Sequence, residues 1–264
     1  RREEIRAEGR TIHRLLAGSD PNKDQSYFLC QLSQRQLSRA LFPIGHLLKP
    51  EVRRIASEQN LATAARKDSQ GICFVGKVDL PVFLQQQLAA KDGDIVEIPS
   101  GWSGYRPLPA DAPLGRLAEP FRYEPSDGAR VGCHRGAHFF TIGQRKGLNV
   151  GGKPEPLFVI GTDVERNILY VGQGQRHPGL YRRALYMLPD EIHWVRPDLA
   201  LKTGENRRYL VRIRYRQPLQ GAVLYRTAEG GFVVFDEPQR GVTAGQFAAW
   251  YDGEELIGSG VIHR

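Results

Sequence analysis

Cys73 has the most reactive chemistry to offer of any residue in this sequence. It sits in KDSQGICFVG, residues 67–76, two positions after Gly71 and between Ile72 and Phe74. A thiolate is the reactive form of cysteine, and nearby positive charge lowers a thiol's pKa. Arg66 and Lys67 are close enough in sequence to supply that charge. Gly71 would let a large substrate approach. The same apolar neighbours also fit an inert core cysteine, the common state of a free thiol. The segment by itself leaves both readings open.

Three further stretches carry groups suited to phosphates and bases. DPNKDQSYFL, residues 20–29, runs from a polar stretch into Tyr27-Phe28-Leu29. Lys23 suits a phosphate, Asp24 and Gln25 can read hydrogen-bonding edges, and Tyr27 or Phe28 can stack on a base. A capped helix start with an aromatic core anchor would use the same residues. TIGQRKGL, residues 141–148, sets Arg145 and Lys146 in a glycine-flanked loop. Such a loop can turn backbone N–H groups and two cations toward a phosphate, or it can be an ordinary basic turn. RIRYRQ, residues 212–217, reads as a strand with Arg212, Arg214 and Arg216 on one face and Tyr215 opposite. That face suits RNA, and equally suits plain solvation. The short signatures of phosphate loops, dinucleotide folds, zinc proteases and serine hydrolases (GxxxxGK[ST], GxGxxG after a strand, HExxH, GxSxG) are absent.

The whole chain sets the frame for these residues. At 264 residues it has room for one large domain or two to three small ones. A net charge of +8 favours anionic partners, nucleic acid first among them. Cys30, Cys73 and Cys133 are far apart with no CxxC, so neither a disulfide framework nor a structural zinc site is expected, and no metal site is assigned. A reducing, cytoplasmic setting fits that cysteine usage. No apolar run reaches the roughly 18–20 residues of a membrane-spanning helix, so no membrane association is expected. The opening RREEIRAEGR has no apolar core and no initiator methionine. It reads as the interior of a longer protein rather than a signal peptide.

The elements that must position these groups change character along the chain. The first seventy residues read as helical with short breaks. SQRQLSRAL opens with Ser33 and Gln36 at capping-box spacing, and KPEVRRIASEQNL has Pro50 where a first helical turn accepts it. Residues 61–76 read as short and strand-like, and 79–89 as another short helix capped by Asp79. Residues 92–132 are rich in Gly, Pro and Asp and read as loop or insertion, and HFFTIGQRKGLNVGG as a short apolar strand followed by a basic loop. From about residue 155 the pattern is β. Leu157–Ile160 and Ile168–Val171 flank a polar turn. GAVLYRTAEGGFVVFDEPQ is a hairpin turning at Gly230-Gly231, and GQFAAWYDGEELIGSGVIHR one turning at Asp252-Gly253.

Taken together, NKDQSYFL, LFPIGHLLKPEVRRIA, KDSQGICFVG, TIGQRKGL and FDEPQRGVTAGQ resemble, in order and approximate spacing, the tRNA-specific 2-thiouridylase (MnmA) family. The resemblance covers nearly the whole chain, and residues about 99–130 fit it least. It implies an α/β plus β fold: residues 1–74 as the tail of an adenine-nucleotide alpha-hydrolase-like catalytic domain, 75–153 as a small central tRNA-contacting domain, and 154–264 as a C-terminal β-barrel. It implies a sulfurtransferase that replaces the 2-oxygen of the wobble uridine with sulfur. ATP adenylates that oxygen, and a cysteine persulfide, which the motif match places on Cys73, delivers the sulfur. The persulfide sulfur comes from a donor protein, a sulfur-relay protein or cysteine desulfurase. The family's tRNA contacts fall on Lys23, Asp24 and Gln25, on Arg214 and Tyr215, and on Gln246, where Ala244 replaces the family's proline. The family's SGGxDSS nucleotide loop and second catalytic cysteine are not in the sequence, so the ATP site is expected outside it and this segment alone is expected to be inactive. A non-catalytic tRNA-binding remnant is the alternative.

Overall fold

The computed structural model describes residues 1–7, 9–66, 90–106, 108–109 and 111–264. The chain divides into two compact units: Arg1–Lys67 with Arg183–Glu237 and Ala244–Arg264, and Asp68–Arg182 with Pro238–Thr243.

The expected helical N-terminus is replaced by a β-hairpin, β1 (Arg2–Ala7) and β2 (Arg10–Leu16). Its Glu-, Arg- and Ala-rich composition favours helix locally, but cross-strand pairing and tertiary contacts override so weak a preference. Ile5 faces Ile12 across the hairpin, and Gly9 makes the turn at φ +72°. Leu15 and Leu16 are buried. An ionic network also holds β2: Arg14 Nε donates to Glu255 at 2.7 Å, while Arg196 bridges Glu255 and Asp198. Two short helices survive from the helical expectation. In α1 (Gln34–Leu37) the predicted capping box forms between Ser33 and Gln36. In α2 (Lys49–Glu58) Pro50 lies in the first turn, but no residue is buried. Residues 61–66 are turns rather than strand, and the helix expected at 79–89 lies outside the described residues.

The first unit is otherwise β. β9 (Asn206–Arg212), β10 (Gln220–Arg226) and β11 (Gly231–Arg240) are antiparallel neighbours, and β12 (Phe247–Asp252) pairs with β13 (Glu255–Val261). With β7 (Tyr181–Met187) the sheet order is β1-β2-β13-β12-β9-β10-β11-β7, and β8 (Ile192–Trp194) pairs with β13. Both expected hairpin turns are present, with Arg226 paired to Gly231 and Asp252 to Glu255. Leu15, Tyr27, Cys30, Leu37, Val195, Tyr251 and Leu256 form the core beneath the loops described below.

The second unit holds a four-stranded sheet, β4-β3-β6-β5: β3 (Gly93–Glu97), β4 (Ala129–His134), β5 (Leu157–Asp163) and β6 (Ile168–Gln173). Alternate residues serve its two faces, as the pleat requires. Ile95, Leu157, Val159, Leu169 and Val171 pack with Ala137 and Leu148 on one side. Val96, Phe158, Ile160 and Tyr170 pack with Ile98, Tyr123 and Leu180 on the other. The stretch read as insertion contributes β3, β4 and a short α3 (Leu114–Leu117). Its Trp102, Tyr105, Phe121 and Tyr123 cover the second face. The strand expected in HFFT is instead a single turn of 3-10 helix, Ala137–Phe139, followed by turns.

Candidate nucleic-acid interface

The six residues marked by sequence for tRNA contact lie in three loops of the first unit. Lys23, Asp24 and Gln25 precede a short 3-10 helix, Ser26–Leu29. Arg214 and Tyr215 follow β9, and Gln246 precedes β12.

One buried tyrosine draws the three loops together. Tyr27 is 7% exposed, and its hydroxyl lies 3.2 Å from the Ile213 carbonyl and 3.0 Å from the Phe247 carbonyl. A phenol has one proton, so the two carbonyls share it. These carbonyls belong to the residues next to Arg214 and Gln246. Burial pushes the Tyr27 phenol up to about 12, so it stays a neutral donor at any ordinary pH.

Sequence left open whether Tyr27 or Phe28 presents a ring to solvent, and the structure separates them. Phe28 is 61% exposed. Its ring lies 4.6 Å from that of Tyr215, and the Arg216 guanidinium lies 5.2 Å from the Tyr215 ring centre. The result is an open aromatic pair with a cation against it. Gln25 is exposed, and Lys23, Arg214, Tyr215 and Gln246 are half-buried.

Two expectations about this region change. The strand stops at Arg212: Ile213–Arg216 form a bend and turn, with Arg216 at φ +64°. The three arginines therefore do not share a strand face. Arg212 is 9% exposed, Nη1 lies 3.2 Å from Asp24 Oδ2, and its guanidinium stacks over the Tyr251 ring. Asp24 does not present its carboxylate outward. It is 4% exposed and accepts from Gly18 N at 3.1 Å, Ser26 N at 3.0 Å and Ser26 Oγ at 3.0 Å. Ser26 Oγ also lies 3.0 Å from the Tyr251 hydroxyl. Asp24 thus fixes the loop that displays Lys23 and Gln25. Sequence reasoning missed the buried set Arg212, Ser26 and Tyr251, because nothing local distinguishes an inward arginine in an alternating basic run.

Cys73 lies outside the described residues. Cys30 is buried, its thiol is pushed up by burial, and its carbonyl accepts from Ser259 Oγ at 2.8 Å. These are marks of a structural cysteine. Cys133 is exposed on β4. Among the described residues no cluster of three His, Cys, Asp or Glu side chains could hold a metal ion. No described helix is long and apolar enough to cross a membrane.

Comparison with known proteins places these loops in a family. Residues 2–77 match the tRNA methyl transferase HUP domain, 122–173 the tRNA methyl transferase PRC-barrel domain, and 186–262 the aminomethyltransferase beta-barrel domain. The tRNA-specific 2-thiouridylase MnmA of Christiangramia forsetii is 58% identical over 99% of this chain and 68% of its own length. The chain belongs to the tRNA-specific 2-thiouridylase MnmA family. The MnmA of Flavobacterium johnsoniae is 56% identical over 98% of this chain and 67% of its own length. That of Pseudomonas aeruginosa is 46% identical over 97% of this chain and 60% of its own length. The fold class follows the family: a HUP-domain fragment, a PRC-barrel-like middle domain and a C-terminal barrel domain.

Proposed function

We propose that this chain is the greater part of a tRNA 2-thiouridylase, a sulfurtransferase acting on the wobble uridine of tRNA. The observation that carries the reading is the identity to named 2-thiouridylases over nearly every residue of the chain. The convergence of three loops on the Tyr27 hydroxyl supports it. In this reading Lys23, Arg214 and Arg216 meet phosphates, Gln25 and Gln246 meet polar edges, and Phe28 with Tyr215 offers a stacking surface. Asp24 acts behind them as a positioning residue. The proposed division of labour is catalytic tail in residues 1–74, central tRNA contacts in 75–153 and barrel in 154–264.

Cys73 is the proposed persulfide carrier. The terminal sulfur of a Cys73 persulfide is a soft, strong nucleophile that would attack C2 of the adenylated uridine and expel AMP. A second thiol, as the family's second catalytic cysteine implies, would then attack the Cys73 sulfur, break the S–S bond and leave the sulfur on the uridine. It would end, until a reductant reopens the bond, as a disulfide with Cys73. A sulfur-relay protein or cysteine desulfurase would load it, and the cytoplasm is the matching compartment. ATP is the activating co-substrate the family implies. The sequence contains no SGGxDSS loop to hold its phosphates.

Binding of tRNA by the 264-residue chain tests the reading. Arg214→Ala and Gln246→Ala should weaken binding in a gel-shift titration, with far-UV circular dichroism unchanged. A chain that folds and shows no affinity for tRNA at low salt contradicts the reading.

A further inference from the structure

The basic loop of the second unit is outside the interface just described, and its geometry has its own purpose. Gln144 clamps it. Its Oε1 accepts from Thr141 N at 3.2 Å, its Nε2 donates to the Lys146 carbonyl at 2.8 Å, and its own carbonyl accepts from Val159 N at 2.9 Å. Gly143 N donates to the Val159 carbonyl at 2.7 Å. Leu148 is 4% exposed and anchors the loop in the core under the sheet. The segment is therefore held rigid from below.

Its upper side is unsatisfied. Among the described residues, no backbone N–H from Arg145 to Gly152 donates to a protein acceptor, and Arg145 and Lys146 make no ion pair. Gly147, Asn149 and Gly152 take left-handed φ values of +95°, +53° and +73°. A turn with left-handed residues can direct neighbouring N–H groups to one side as a concave anion receptor. Arg145, Lys146, Gly147, Leu148, Asn149, Val150, Pro156 and Leu157 line a concavity of about 430 Å³ there. Of the nearby acids, Glu97 pairs with Lys153 at 2.5 Å, and the Glu155 carboxylate lies beside Gly174.

We propose that the Arg145–Val150 loop is a phosphate-binding site that takes a backbone phosphodiester of RNA. The assignment rests on the tRNA-binding reading above but on different residues in the other unit. A rigid, concave row of donors flanked by two cations loses little entropy on binding. It also reads no base, so it adds affinity and register rather than sequence preference.

The test is a salt series of tRNA affinity for the full chain, comparing wild type with Arg145→Ala/Lys146→Ala and with Arg214→Ala. Each lost phosphate contact lowers the slope of log affinity against log salt by about 0.7–0.9. The loop takes one phosphodiester, so the double variant should lose about 0.7–0.9 of slope. Between 50 and 200 mM salt its affinity should fall roughly 3-fold less than that of wild type. Both side chains are exposed, so the fold should be unaffected. Amide chemical shifts of residues 145–150 should move on adding a short single-stranded RNA, and inorganic phosphate should compete only weakly. An unchanged slope, with Arg214→Ala still impaired, overturns the loop assignment and leaves the proposed function standing. Shifts driven by inorganic phosphate but not by RNA overturn the RNA source. Wild-type chain that does not bind tRNA at all overturns both.

Discussion

Asp24→Ala should cost stability first, and recognition only through the loop that Asp24 holds. The Asp24 carboxylate is 4% exposed, accepts three hydrogen bonds from Gly18 and Ser26, and faces an Arg212 guanidinium that is itself 9% exposed. Removing one partner of a buried pair leaves the other charged and uncompensated, which costs about 3–5 kcal/mol. Removing both together should cost much less than the sum, because no charge is stranded. Asp24→Ala with Arg212→Met should fall short of additivity by about 2–3 kcal/mol. Urea denaturation followed by tryptophan fluorescence reads this directly. Trp194 and Trp250 lie 5.3 Å apart in the unit concerned, and in a Trp102→Phe background they are the tryptophans that report its transition. The reasoning fails if Asp24→Ala costs less than about 1 kcal/mol yet abolishes tRNA binding. That result would mean the carboxylate turns outward to meet RNA.

Phe28→Ala should do the reverse. A ring 61% exposed contributes little to folding, whereas losing a base-stacking surface costs about 1–3 kcal/mol, or roughly 5- to 150-fold in affinity; unchanged affinity would remove it from the interface. Acidification should weaken the second unit. Burial holds the His134 and His177 imidazoles below 6.5, so on descending through 6.5 the unfolded chain takes up protons before the folded one and stability falls. The Trp102 signal, taken as the difference between the chain and its Trp102→Phe variant in a pH series of urea melts, checks this, and a midpoint that stays flat from pH 7 to 5 contradicts it. At the alkaline end, the Tyr27 and Tyr105 phenols are each pushed up to about 12 by burial. Unfolded tyrosine ionises near 10, so stability should be lost between about pH 10 and 12, with phenolate absorbance rising late; ionisation at 10 in the folded protein would refute the burial. Native alkylation with mass spectrometry should label Cys133 quickly and spare Cys30, and equal labelling would contradict a structural Cys30.

What sequence made legible here was local. Turn chemistry located the hairpins at Gly230-Gly231 and Asp252-Gly253, and the Ser33–Gln36 pair located a helix start. The motif order carried the family. The first sixteen residues misled because a charged, alanine-containing stretch satisfies a helix locally, while the Arg14–Glu255 contact that helps hold it as a strand joins residues 241 apart. The arginine run after β9 misled for the same reason. Long-range partners, Asp24 and the Tyr251 ring, hold Arg212 inward, and a turn with Arg216 left-handed follows the strand. Within the candidate interface, sequence named the displayed residues Lys23, Gln25 and Gln246. It could not show that Tyr27 ties their loops together, since that hydroxyl reaches carbonyls 186 and 220 positions away.

The most direct test of the account is the 2-thiouridine content of bulk tRNA, measured by mass spectrometry. The strain would lack its own 2-thiouridylase and carry the complete gene for this protein, either unchanged or with Cys73→Ser. The account predicts restored 2-thiouridine with the unchanged gene and none with Cys73→Ser, with the variant still folded and still binding tRNA. Persistent 2-thiouridine with the serine variant would contradict Cys73 as the sulfur carrier, and no restoration by the unchanged, well-expressed gene would contradict the proposed function itself.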